Sequence, residues 1–153
     1  GPNDNFNLIN SHVIPALIRK FTEAKEKNKK EVVVWGSGKV LREFLYVEDL
    51  ADACVYILEN VDAEHLYDNM KVTHINIGCG EDLSIAELAN MIANVVDFKG
   101  KIRYDFTKPD GTARKLLDIT RLKNLGWAPK INLQEGINKS YNWYLENHCS
   151  VRN

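Results

Sequence analysis

A valine-rich stretch, Glu31-Val32-Val33-Val34-Trp35, runs into Gly36-Ser37-Gly38 and then into Arg42-Glu43-Phe44-Leu45. Consecutive β-branched residues favour a strand. The paired glycines predict a tight turn, and Glu43 to Tyr46 is expected to return as the second arm of a hairpin. This limits what the chain can be. A glycine turn that cradles a dinucleotide pyrophosphate lies between a strand and a helix N-terminus, whose free N–H groups face the anion. Gly36 and Gly38 lead into another strand instead. Gly78-Cys79-Gly80 also follows a predicted strand, but Ser84 rather than a third glycine opens the next helix. The 36–38 segment therefore reads as a hairpin turn. The 78–80 segment reads as a strand-to-helix turn, with a phosphate contact left open.

Around this stretch, residues 1–11 read as an Asn-rich loop. A helix is expected over about 13–27, with Ile14, Leu17, Ile18, Phe21 and Ala24 on one stripe and Pro15 in the first turn. A second helix, about 48–60, carries Leu50, Ala51, Cys54, Ile57 and Leu58 at helical spacing. Thr73 to Ile77 and Ile102 to Phe106 are predicted strands. Ser84-Ile85-Ala86-Glu87 is a capping box that opens a third helix. A loop spans 107–117 with a Pro-Asp-Gly turn. Asp118 caps a short helix ending at Gly126. Asn132 with Glu135 opens the last helix, whose stripe is Leu133, Ile137, Tyr141, Tyr144 and Leu145. Strands alternate with helices, so the fold class is α/β, but these short strands do not build a complete doubly wound sheet.

A length of 153 residues suffices for one domain with a real core. A net charge of -1 gives no reason to expect nucleic acid or an anionic membrane as partner, so any anion site must be local. No apolar run approaches the length of a membrane span, and no signal peptide is seen. Cys54, Cys79 and Cys149 are odd in number and lack Cys-x-x-Cys spacing, so neither a disulfide framework nor a metal site is expected. A reducing, cytoplasmic setting fits best. Gly1-Pro2 without a Met reads as a cleavage scar or as a point inside a longer chain.

Several residues carry chemistry. His12 stands at a helix start, where an imidazole caps the helix or serves as acid, base or carbonyl-polarising group. His65, His74 and His148 have no partners near in sequence. Trp35 is either a core residue or an aromatic wall for a sugar or base. Arg42 either pairs with Glu43, Glu48 or Asp49, or forks onto phosphate oxygens. Lys108, Arg114 and Lys115 surround the Pro109-Asp110-Gly111 turn, which is either a solvated turn or a lid over a diphosphate. Asp110 is expected to bond its own turn backbone. The lysines at 25, 27, 29 and 30 read as a solvated helix end that complements the dipole.

The segments Gly1-Pro2-Asn3-Asp4-Asn5-Phe6, Ser11-His12-Val13-Ile14-Pro15-Ala16-Leu17, Val33-Val34-Trp35-Gly36-Ser37-Gly38, Arg42-Glu43-Phe44-Leu45 and Lys108-Pro109-Asp110-Gly111-Thr112 with Arg114-Lys115-Leu116-Leu117-Asp118 carry a resemblance. From Gly1 to about Asn147 the chain resembles the C-terminal, substrate-binding part of the GDP-L-fucose synthase family, extended short-chain dehydrogenase/reductases of Rossmann type. The resemblance implies one substrate-binding domain over 1–147 and a frayed tail over 148–153. It implies an NADP-dependent 3,5-epimerase-4-reductase acting on GDP-4-keto-6-deoxy-D-mannose to give GDP-L-fucose, in the cytoplasm, as a homodimer when complete. By resemblance His12 is the catalytic acid/base and a cofactor contact. Lys20, Trp35, Arg42, Lys101 and Lys115 fall at substrate-binding positions. Lys20 stands where some members carry Arg, which keeps the charge but not a two-pronged fork.

The family's Tyr-x-x-x-Lys pair, catalytic Ser, partner Cys and glycine-rich NADP loop belong to its N-terminal part, and none is matched here. The catalytic Cys is not assigned to Cys54, Cys79 or Cys149. The resemblance thus implies a chain separated from its Rossmann domain, inactive alone and prone to self-association through uncovered apolar faces. Another extended reductase or epimerase using a different nucleotide sugar, and a non-catalytic nucleotide-sugar binding module, are the alternatives.

Overall fold

The computed structural model describes residues 1–148. The elements run α1 (Val13–Glu26), β1 (Glu31–Trp35), β2 (Leu41–Glu43), α2 (Val47–Asn60), a π-helical turn (His65–Asn69), β3 (Asp82–Ser84), α3 (Ile85–Val96), β4 (Lys101–Asp105), β5 (Arg114–Lys115), α4 (Thr120–Asn124) and α5 (Leu133–Asn147). The fold is α/β, as expected. Among the described residues no helix is long and apolar enough to cross a membrane.

The hairpin expected around Gly36-Ser37-Gly38 does not form. β1 pairs in parallel with β4, from Glu31 opposite Lys101 to Trp35 opposite Asp105. The ladder continues one bond further, with the Gly36 N–H donating to the Asp105 carbonyl at 2.9 Å. Gly36 and Gly38 both take positive φ, 80° and 75°, and turn the chain out of this sheet into another. There β2, formed by 41–43 rather than 43–46, lies between antiparallel β3 and parallel β5.

Alternation on β1 sends Val32 and Val34 into the core and leaves Trp35 outside. The main core is closed by α1, α3 and α5, with Leu17, Ile18, Phe21, Leu88, Ile92, Val96 and Ile137 buried. Phe6 joins it from the N-terminal loop, its ring centroid 4.7 Å from Tyr144 and 6.0 Å from Trp143. The capping box forms as expected: Ser84 Oγ accepts the Glu87 N–H at 3.1 Å, and Glu87 Oε2 accepts the Ser84 N–H at 2.8 Å. Asn132 caps α5 through the Glu135 N–H at 2.9 Å. Asp118 accepts the Thr120 N–H at 2.9 Å, although the helix cap itself is Ile119.

A second, smaller core joins Ala53 of α2 to Leu122 of α4 and Trp127. Buried Asp49 is stabilised by the backbone N–H groups of Lys130 and Ile131, at 3.2 and 2.9 Å. Of the residues at helical spacing on α2, Ile57 packs on this second core. Leu50, Ala51, Cys54 and Leu58 face outward, and the helix turns Asp49 and Ala53 inward. Leu145 of α5 is likewise exposed. Thr73 to Ile77 forms no strand, because no ladder partner reaches it among the described residues; Ile75 and Ile77 lean on the second core instead. β3 and β5, in stretches read as turn and loop, are the added strands. Beyond His148, the expected tail lies outside the described residues.

Candidate functional site

The ends of β1, β2 and β5 and the start of α1 enclose an open pocket of about 540 Å³. His12 enters from the N-cap of α1, where its side chain makes no capping bond and stays exposed. Trp35 closes β1 with half its surface open. Arg42 enters from the middle of β2 and Lys115 from the end of β5. All four line the pocket, together with Ser11 and Asp110.

Two cations flank the indole. Lys20 Nζ lies 4.9 Å from the Trp35 ring centroid and Lys108 Nζ 5.3 Å, within cation–π range. Lys20 also donates to the Val33 carbonyl at 3.3 Å. Burial strips water from its ammonium and pushes its pKa below the usual lysine value.

Arg42 and Lys115 are partners in the β2–β5 register. Residues opposite each other in a ladder share a face, so two cations sit side by side. The nearby carboxylates are committed elsewhere. Asp82 holds Arg114 through two bonds, at 2.6 and 3.2 Å. Glu43 accepts the N–H groups of Gly80 and Leu117, at 2.6 and 2.9 Å. Asp110 accepts the Ser37 N–H at 2.6 Å rather than bonding its own turn, and this bond holds its carboxyl below the usual range. Arg42 therefore takes none of the carboxylate partners open to it in sequence. Asp49 is buried under 130–131, and Glu48 lies 3.9 Å from Lys139. Its guanidinium donates to two carbonyls, Leu41 at 2.7 Å and Asp110 at 3.5 Å. The site is thus a cationic rim beside an aromatic wall, suited to a dianion joined to a planar or sugar group.

Lys101 does not join it. It starts β4 opposite Glu31, at the other end of the parallel pair from Trp35, and lines a separate hollow with Lys25, Lys29, Lys30 and Lys99. Two helices, α1 and α3, end at that hollow, so its lysines complement their dipoles. Cys54 is exposed on α2. Cys79 donates to the carbonyls of Phe44 and Glu81, at 3.4 and 3.3 Å, and burial raises its pKa, which keeps it a thiol. Cys149 lies outside the described residues. Among the described residues no group of three or more metal-ligating side chains forms.

Sequence reasoning did not single out Ser11. Its Oγ is buried in the pocket wall next to His12 without a hydrogen-bond partner. On its other side His12 borders a cavity of about 260 Å³, lined by Val13, Phe44, Leu45 and Leu133. The imidazole thus lies between a cationic pocket and an apolar one. Neither glycine turn leads into a helix: 36–38 precedes β2, and 78–80 precedes β3. The described residues therefore do not fit a dinucleotide pyrophosphate held at a helix N-terminus.

Known proteins are similar to this chain in sequence and in fold. The chain is 53% identical over 150 residues to GDP-L-fucose synthase 1 of Arabidopsis thaliana, covering 98% of this chain and 44% of the relative. It is 51% identical over 153 residues to GDP-L-fucose synthase of Escherichia coli (strain K12), covering 99% and 48%. It thus spans less than half the length of these curated relatives. A solved GDP-L-fucose synthetase from Naegleria fowleri bound to NADP superposes over all of this chain and 46% of its own, with a TM-score of 0.89 and 30% identity. Residues 1–78, which carry His12, Lys20, Trp35 and Arg42, match the model of the NAD dependent epimerase/dehydratase family, and the chain belongs to that family.

Proposed function

We propose that this chain supplies the substrate-binding part of a cytoplasmic, NADP-dependent enzyme that turns GDP-4-keto-6-deoxy-D-mannose into GDP-L-fucose, epimerising C3 and C5 and reducing C4. The observation that carries the reading is the Arg42–Lys115 pair, two adjacent cations in one pocket with Trp35, where the carboxylates of Glu43 and Asp110 accept backbone N–H groups. Identity near 50% to proteins named GDP-L-fucose synthase supports it.

The diphosphate of the sugar nucleotide bridges Arg42 and Lys115, and Lys20 adds charge from the far side of the indole. That anchor places the sugar toward His12. The 4-keto group acidifies the C–H bonds at C3 and C5. A base takes the proton, the electron pair spreads onto the keto oxygen as an enolate, and a proton returns to the opposite face of the same carbon. His12 is the chain's acid/base group for this exchange. The cavity beside it, lined by Val13, Phe44, Leu45 and Leu133, offers an apolar wall next to the imidazole. NADPH, when bound, would supply the hydride for the reduction at C4 and leave as NADP, and of this chain's residues only His12 is assigned a contact with it. In its complete form the enzyme is a homodimer.

Calorimetric titration with GDP, with guanosine as control, tests the reading. GDP is expected to bind at one site and guanosine at least about tenfold more weakly, because the charge-assisted bonds go to phosphate. Equal affinity for the two, or tighter binding of UDP than of GDP, contradicts it.

A further inference from the structure

The reaction makes no use of Asp110, yet its carboxylate joins two parts of the site that are far apart in sequence. We propose that Asp110 is a positioning residue, whose bond to the Ser37 N–H clips the loop between β4 and β5 onto the glycine turn after β1 and so sets Trp35, Arg42 and Lys115 at the spacing a diphosphate requires. The inference rests on the function proposed above.

Four observations support it. The Asp110 Oδ1 to Ser37 N distance is 2.6 Å, short for a bond from a neutral donor to a carboxylate. Gly36 has φ +80°, and a Cβ there would collide with Asp110 Oδ1, so the glycine is what lets the carboxylate approach. The Asp110 carbonyl accepts from Arg42 Nη2 at 3.5 Å, and Gly111, at φ +72°, brings the loop backbone toward the same nitrogen. Finally, β5 has only two residues. So short an edge strand holds its register poorly without a second tether. The Leu41 N–H to Ala113 carbonyl bond of 2.9 Å fixes the β5 end of the loop, and Asp110 fixes its middle.

Asp110 is exposed and touches neither core. A purely structural role would therefore show in stability. A positioning role shows in ligand affinity and in the Ser37 amide. In the full 153-residue chain, Asp110→Ala is expected to weaken GDP binding about tenfold and to speed hydrogen exchange at the Ser37 amide, with the melting temperature unmoved. Asp110→Asn, which keeps an acceptor oxygen at the same place, is expected to restore affinity to within about threefold of wild type. Gly36→Ala is expected to weaken GDP binding as Asp110→Ala does, with an added loss of stability from its strained backbone, and the two together to weaken binding no more than either alone. Wild type that binds GDP, with Asp110→Ala binding it equally well, overturns the inference and leaves the functional reading standing. So does an Asn variant as weak as the Ala variant. Wild type that does not bind GDP overturns the functional reading and this inference with it.

Discussion

Arg42 and Lys115 stand directly opposite each other in the parallel β2–β5 pair and line the same pocket. Like charges so placed cost about 0.2–1 kcal/mol of stability. Removing one cation should therefore separate stability from binding. Lys115→Gln is expected to raise the unfolding free energy by a few tenths of a kcal/mol and to weaken GDP binding about tenfold. Urea unfolding and calorimetry on the same preparation read both. A variant that loses stability and keeps its affinity counts against an anion between the two residues.

Lys20 gives a prediction with a definite sign. Burial lowers its pKa in the folded chain, so the folded state sheds this proton before the unfolded state does. Between the two pKa values the unfolded chain holds more protons, and stability contributed by Lys20 rises with pH. A bound diphosphate favours the charged ammonium and opposes the shift. GDP binding in alkaline buffer is therefore expected to take up protons, and Lys20→Gln to abolish that uptake. Calorimetry in buffers of differing ionisation enthalpy measures it.

Phe6 anchors the loop that leads to His12. It is 1% exposed, packs on Tyr144 and Trp143, and its carbonyl accepts from Arg19 at 3.2 Å. Phe6→Ala should cost about 3–5 kcal/mol in urea unfolding, the usual range for emptying a buried aromatic site. A loss under about 1 kcal/mol would mean that the loop is not seated in the core.

The outer face of α2 presents Val47, Leu50, Val55 and Leu58, with Leu58 84% exposed. A continuous apolar stripe of this kind promotes association. The chain alone is expected to self-associate in light scattering, and Leu50→Glu with Leu58→Glu to return it toward a monomer. A clean wild-type monomer at high concentration would refute this.

Local signals were legible in the sequence and non-local ones were not. The Ser84–Glu87 capping box and the Asn132 cap were readable because donor and acceptor lie three residues apart. The hairpin was misread because strand pairing is decided elsewhere: β1 takes β4, which begins at Lys101, over the adjacent β2. β3 and β5 are too short to leave an alternation pattern. The stripe of α2 was seen, but periodicity shows only that a helix has an apolar side, not that a partner covers it. At the site, sequence resemblance named His12, Lys20, Trp35, Arg42 and Lys115, which the fold brings to one end of the two sheets. The adjacency of Arg42 and Lys115 depends on register and could not be read in advance. Lys101 was grouped with them through its charge and family position, and the parallel register of β4 places it at the opposite end.

The most direct measurement is a GDP titration followed by nuclear magnetic resonance of the ¹⁵N-labelled chain. The account predicts saturable shifts in the Trp35 indole N–H and in the amides of Ser37, Arg42 and Lys115, with Lys99 and Lys101 unmoved. Shifts gathered around Lys25, Lys99 and Lys101, or none at saturating GDP, would contradict it.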